Sequence, residues 1–123
     1  LTPQFDKRGG LLPVAVQETS SGQILMLASI NEEALSQTIS TGLATFWSTS
    51  RNKLWVKGET SGDFLQVNKI LVDCDQDAFV FQVTLKGAGG CHTFDQLGNH
   101  RKACFYREVN RKEDNLQFIE GMR

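Results

Sequence analysis

The chain has no surplus of either charge, with 13 basic and 14 acidic side chains. Nothing global therefore draws it to nucleic acid or to an anionic membrane. It has no apolar run near the ~20 residues that span a bilayer. The opening Leu1-Thr2-Pro3-Gln4-Phe5-Asp6 carries no signal-peptide pattern. Internal repeats and low-complexity tracts are absent, and so is the Gly-x-x-x-x-Gly-Lys-Ser/Thr phosphate loop. Cysteine is scarce and odd in number, three in 123 residues, which does not look like a disulfide frame. Reduced thiols without an export pattern point to the cytoplasm. The length fits one domain around one core.

What is present begins with strands. Leu11–Val16 is an apolar run bounded by Gly9-Gly10, and Gln23–Ala28 follows the Thr19-Ser20-Ser21-Gly22 turn, so the two predict a hairpin. Asn31 suits a helix N-cap, with Glu32 and Glu33 in the first turn. Ala34, Leu35, Thr38 and Ile39 recur at helical spacing until Gly42. One main helix is therefore expected over about 31–41. Ala44–Ser48 and Leu54–Val56 are extended, separated by a turn at Arg51-Asn52-Lys53. Phe64–Val72 should pair with Ala78–Leu85, which puts Phe79, Phe81 and Val83 on one face. Residues 86–102 are glycine-rich and polar, hence a loop. Cys104–Val109 is expected as a last strand, and the charged residues 110–123 as a weak helix or a mobile tail. The fold class is α+β: a single domain of mostly antiparallel β-strands with one main helix.

Three clusters can carry chemistry. The first contains Cys74 within Asp73-Cys74-Asp75-Gln76-Asp77. An extended segment would turn Asp73, Asp75 and Asp77 to one side and Cys74 to the other. Carboxylate oxygens suit magnesium, and a thiolate suits zinc. An EF-hand does not fit, because Ala78 and Thr84 stand where its glycine and glutamate belong. A solvated acidic turn is the plain alternative and carries about half the weight.

The second cluster is Cys91-His92, preceded by Gly87-Ala88-Gly89-Gly90. With Cys74 and Cys104, Cys91 offers three soft ligands, and three protein ligands plus a water is the arrangement of catalytic zinc. The fourth position is open to water, His92 or His100. Third comes Arg51 to Gly62, where cations, hydroxyls and glycines can hold a phosphate and Trp55 offers a stacking face. An ordinary polar hairpin reads the same way.

Taken in order, these strings resemble the phosphoribosyl-AMP cyclohydrolase family of histidine biosynthesis. The resemblance runs over about residues 9–109; residues 1–109 are expected as the catalytic domain, with 110–123 as a charged tail. It rests above all on Trp55-Val56-Lys57-Gly58-Glu59-Thr60-Ser61-Gly62, Asp73-Cys74-Asp75-Gln76-Asp77, Cys91-His92-Thr93 and Cys104-Phe105-Tyr106-Arg107. It implies an enzyme that hydrolytically opens the adenine ring of 1-(5-phosphoribosyl)-AMP between N1 and C6. Zinc would be held by Cys74, Cys91 and Cys104, and magnesium by Asp73, Asp75 and Asp77. His92 would handle protons, and Arg51, Trp55, Lys57, Glu59, Thr60, Ser61 and Gly62 would bind the nucleotide. It also implies an intertwined homodimer with zinc at the subunit interface. Two departures stand out. Cys91 and Cys104 are 13 residues apart, farther than the family's Cys-His-Thr-Gly-x-x-Ser-Cys, with the extra length in Phe94–His100. Thr49 stands where the family commonly has Arg. Two other readings compete: a zinc hydrolase or deaminase for another purine nucleotide, and a non-catalytic module built on a closed four-ligand zinc.

Overall fold

The computed structural model describes residues 1–123. After a short 3-10 turn, Phe5–Arg8, the elements are β1 (Leu12–Glu18), β2 (Ile24–Ile30), α1 (Glu32–Thr41), β3 (Thr45–Ser48) and β4 (Lys53–Val56). They continue with β5 (Leu65–Val72), β6 (Phe79–Leu85), β7 (Arg107–Asn110) and β8 (Asn115–Phe118). Six strands form one sheet in the order β4-β3-β2-β1-β6-β5. All neighbours are antiparallel except β1 and β6, which run parallel. The sheet and its single helix make the α+β domain expected from the sequence.

Alternation along β1 buries Leu12, Val14 and Val16 completely, as the period of two requires. Pro13 precedes the pairing with β6, which begins at Val14, so its missing N–H falls outside that ladder. Phe79, Phe81 and Val83 share the buried face of β6, as expected. Phe46 lies at the centre, 5.0 Å from the Trp55 ring and 6.1 Å from the Phe81 ring. Burying one such aromatic stabilises by ~2–3 kcal/mol.

The helix begins where Asn31 Oδ1 accepts the Ala34 N–H at 2.8 Å. It ends at Gly42, whose φ of 75° is left-handed and whose N–H reaches the Thr38 carbonyl. Ala34, Leu35 and Thr38 are buried. Thr38 Oγ1 donates to the Ala34 carbonyl at 2.9 Å and accepts the Thr45 N–H at 3.1 Å, which ties α1 to β3. Ile39 departs from the expected helical face. It is exposed and lines a crevice with Leu35, Pro3 and Phe5 from the N-terminal segment.

Two further expectations change. Cys104, Phe105 and Tyr106 are not strand; the Cys104 N–H instead reaches the Leu25 carbonyl at 2.7 Å. Residues 110–123 are not a helix. Asn115–Phe118 pairs antiparallel with Arg107–Asn110 as a separate two-stranded sheet. The Arg101 guanidinium sits 4.1 Å over the Tyr106 ring at its base, a cation–π contact that the sequence does not announce.

Candidate active site

The turn from β5 to β6 carries the acidic string. It is not extended: residues 74–77 form a tight turn with Gln76 at a φ of 59°. Asp73 Oδ1 accepts the N–H groups of Asp77 and Ala78 at 2.9 and 3.2 Å, closing the turn. The turn, rather than strand alternation, gathers Asp73, Asp75 and Asp77, with a carboxylate oxygen from each within 4.8 Å of the others. Lys7 bridges Asp75 and Asp77 at 3.0 and 3.1 Å, and Arg8 reaches Asp77 at 3.1 Å. The hydrogen bond from Lys7 holds the Asp77 carboxyl well below the usual range, and the one Lys7 donates to Asp75 raises the Lys7 pKa. These contacts use one oxygen of each aspartate. Asp73 Oδ2, Asp75 Oδ1 and Asp77 Oδ1 remain free, and three unpaired carboxylate oxygens fit a hard cation such as magnesium.

The second region is a cavity of about 320 Å³. Lys57 to Gly62 form the turn between β4 and β5, and residues 87–104 fold back beside it. Arg51, Trp55, Lys57, Glu59, Thr60 and Ser61 line it together with Cys91 and His92. Of the residues expected to bind substrate, Gly62 alone does not face the cavity. Four residues outside the expected substrate-binding set do, Val56, Gly58, Asp63 and His100, and of these Asp63 and His100 carry polar side chains. His100 arrives through a tight loop in which Asp95 Oδ1 accepts the N–H groups of Leu97 and Asn99. Its ring packs 4.4 Å from Phe94, and its Nδ1 lies 3.1 Å from the Cys91 carbonyl. Asp63 has no periodic or motif signal of its own; only the placement of two glycines around it would have marked it.

Cys91 is buried at the cavity wall. Desolvation works against its thiolate, but hydrogen bonds from the Thr93 side chain and backbone, from Cys104, and the Lys57 charge outweigh it, so the thiol titrates below its usual value. Cys104 is exposed as a residue, yet desolvation around its sulfur and the adjacent Cys91 push it up to about 11. The pair therefore offers a more acidic thiol beside a less acidic one, two sulfur donors suited to zinc.

Cys74 is not with them. It precedes β6, whereas Gly90, next to Cys91, packs on Leu85 at the far end of that strand. Seven strand residues separate the two ends by about 20 Å. One chain thus brings together Cys91, Cys104, His92 and the Arg51–Ser61 segment at one end of β6, and Cys74 with the three aspartates at the other.

A family model described as phosphoribosyl-AMP cyclohydrolase matches residues 26–106. The chain is 50% identical over 109 residues to a phosphoribosyl-AMP cyclohydrolase of Hyphomonas neptunium, covering 89% of this chain and 77% of that one. It is 45% identical over 121 residues to one of Brucella anthropi, covering 97% and 81%. With one of Solibacter usitatus the identity is 43% over 121 residues, covering 95% and 91%.

Proposed function

The chain belongs to the phosphoribosyl-AMP cyclohydrolase family and is an enzyme of that type, and from this premise we propose that it opens the adenine ring of 1-(5-phosphoribosyl)-AMP between N1 and C6 in the 320 Å³ cavity. The observation that carries this reading is the meeting, in one cavity, of a cationic, hydroxyl-bearing turn with Cys91 and His92. Arg51 and Lys57 supply charge for phosphate, and Thr60 and Ser61 supply hydroxyls. Trp55 offers a face to the base. N1-ribosylation makes adenine C6 electrophilic, so water adds there. The His92 imidazole accepts a proton from the attacking water and returns it to N1 as the C6–N1 bond breaks. The exocyclic nitrogen stays on C6, so no ammonia leaves.

Cys91 and Cys104 would hold zinc, and the third thiolate, Cys74, would come from a second copy of the chain, because about 20 Å separates it from the pair within one copy. That separation favours the homodimer. When bound, zinc supplies Lewis acidity, which at such sites lowers the pKa of water to about 7. Asp73, Asp75 and Asp77 would hold magnesium through their free oxygens.

The test is turnover of phosphoribosyl-AMP followed by absorbance, with zinc and magnesium varied separately and metal content measured. Turnover that needs zinc, is raised by magnesium and releases no ammonia is expected. Ammonia release would replace this reading with deamination. A Cys91→Ala protein with full zinc and full turnover would refute the zinc assignment.

A further inference from the structure

The buried carboxylate of the cavity, Asp63, has no role in the scheme above. Asp63 is only 7% exposed. Its Oδ1 accepts the Ala88 N–H at 2.8 Å, and its own N–H reaches Ser61 Oγ at 3.2 Å. No lysine, arginine or histidine pairs with it; the chain's four ion pairs involve Asp75, Asp77 and Glu18. Every fully buried side-chain nitrogen or oxygen has a hydrogen-bond partner. Oδ2 has none, and Asp63 lines the cavity, so Oδ2 is the oxygen left to accept from a ligand there. A carboxylate held nine-tenths out of water without a cation is costly.

The chain is built closely around this placement. A Cβ on Gly87 would lie 2.0 Å from Asp63 Oδ1, and one on Gly58 would lie 2.4 Å from the Asp63 backbone carbon. Two glycines on two different loops are therefore needed to seat one carboxylate. An oxygen so fixed is a preorganised acceptor.

Its occupant must donate hydrogen bonds. Phosphate is repelled by it, and the cations and hydroxyls that suit phosphate precede it in the same turn. The group that a 5′-phosphate carries next to itself is ribose, whose 2′ and 3′ hydroxyls are donors. We propose that Asp63 Oδ2 binds a ribose hydroxyl of the substrate and so fixes which end of the phosphoribosyl group faces the turn; this rests on reading the cavity as the nucleotide site. Carboxylates serve this purpose in dinucleotide-binding folds.

Asp63→Asn keeps Oδ1 for Ala88 and replaces only the acceptor. In the zinc-loaded protein, AMP, 2′-deoxy-AMP and 3′-deoxy-AMP are titrated by calorimetry. The wild type is expected to bind one of the deoxy compounds about tenfold more weakly than AMP, and Asp63→Asn to bind all three alike, at that weaker level. For phosphoribosyl-AMP the variant should show KM raised about tenfold with kcat nearly unchanged. Equal binding of the three by the wild type, or retained discrimination in Asp63→Asn, overturns the assignment. A lowered melting temperature with discrimination intact would show Asp63 to be only a structural tie, and overturns it too. If phosphoribosyl-AMP is not turned over at all, the reading of the cavity's reaction fails, while the AMP comparison still decides the role of Asp63.

Discussion

Gly58→Ala tests how the cavity is held. Gly58 has a φ of 94°, and a Cβ there would stand 2.4 Å from Asp63 C and Phe64 N and 2.6 Å from Asp63 O. Ordinary carbon contacts need ~3.5 Å, so about 1 Å must open against main chain rather than a flexible side-chain end. Left-handed strain in a non-glycine residue costs ~1–3 kcal/mol, and forcing packed atoms apart adds ~1–3 kcal/mol. A loss of about 2–6 kcal/mol lowers the melting temperature by roughly 8–24 °C for a chain of this size. Moving the Lys57–Ser61 turn by ~1 Å should also cut turnover ~100-fold. Circular-dichroism melting gives the first effect, and turnover well below the transition gives the second. Gly121→Ala separates strain from clash: its φ is 81°, but nothing lies within 4 Å of its Cβ position. If Gly58→Ala melts with Gly121→Ala and turns over normally, the close approach argued here is wrong.

Other outcomes follow from single contacts. Thr38→Val leaves the Thr45 N–H without its acceptor in the core, and chemical denaturation should show a loss of ~1–3 kcal/mol. The Glu18 carboxyl is held below its usual range first by the hydrogen bond from Lys102 and then by that from Ser21. A depressed native pKa stabilises above the unfolded value of ~4.3 and is lost as pH falls through the native one. Glu18→Gln should therefore cost up to about 1 kcal/mol at pH 7 and nothing near pH 2; a penalty that grew on acidification would contradict the sign. Mixing Cys74→Ala with Cys91→Ala protein, each inactive alone, should regenerate one intact site per mixed dimer and about a quarter of wild-type turnover, as two-fold symmetry dictates. No recovery after confirmed subunit exchange would place all the zinc ligands within one chain.

Local chemistry was legible in the sequence. The apolar run Leu11–Val16, the Asn31 cap and the Gly42 terminus each depend on neighbours a few residues away, and the structure has a strand, a cap and a helix end there as expected. The same holds for the antiparallel pairing of β5 with β6 across a short turn. Groupings that depend on distant pairing were not legible. Phe118 pairs with Arg107 and packs with Tyr106, so a segment that is polar by composition becomes a strand. Ile39 keeps its helical spacing yet faces a crevice, because periodicity fixes a face but not what covers it.

The sequence by itself therefore determined the strands of the six-stranded sheet, the helix and the inventory of thiols, carboxylates and cations. Tertiary structure alone decided which of them meet. It drew the three aspartates together by a turn instead of by strand alternation, and it put β6 between Cys74 and the other two cysteines. It also raised Asp63 to the cavity wall by packing it against Gly58 and Gly87. The reason is one of range: side-chain periodicity is set over two to four residues, whereas burial and pairing are set by residues far apart in the chain, whose approach only the finished sheet defines.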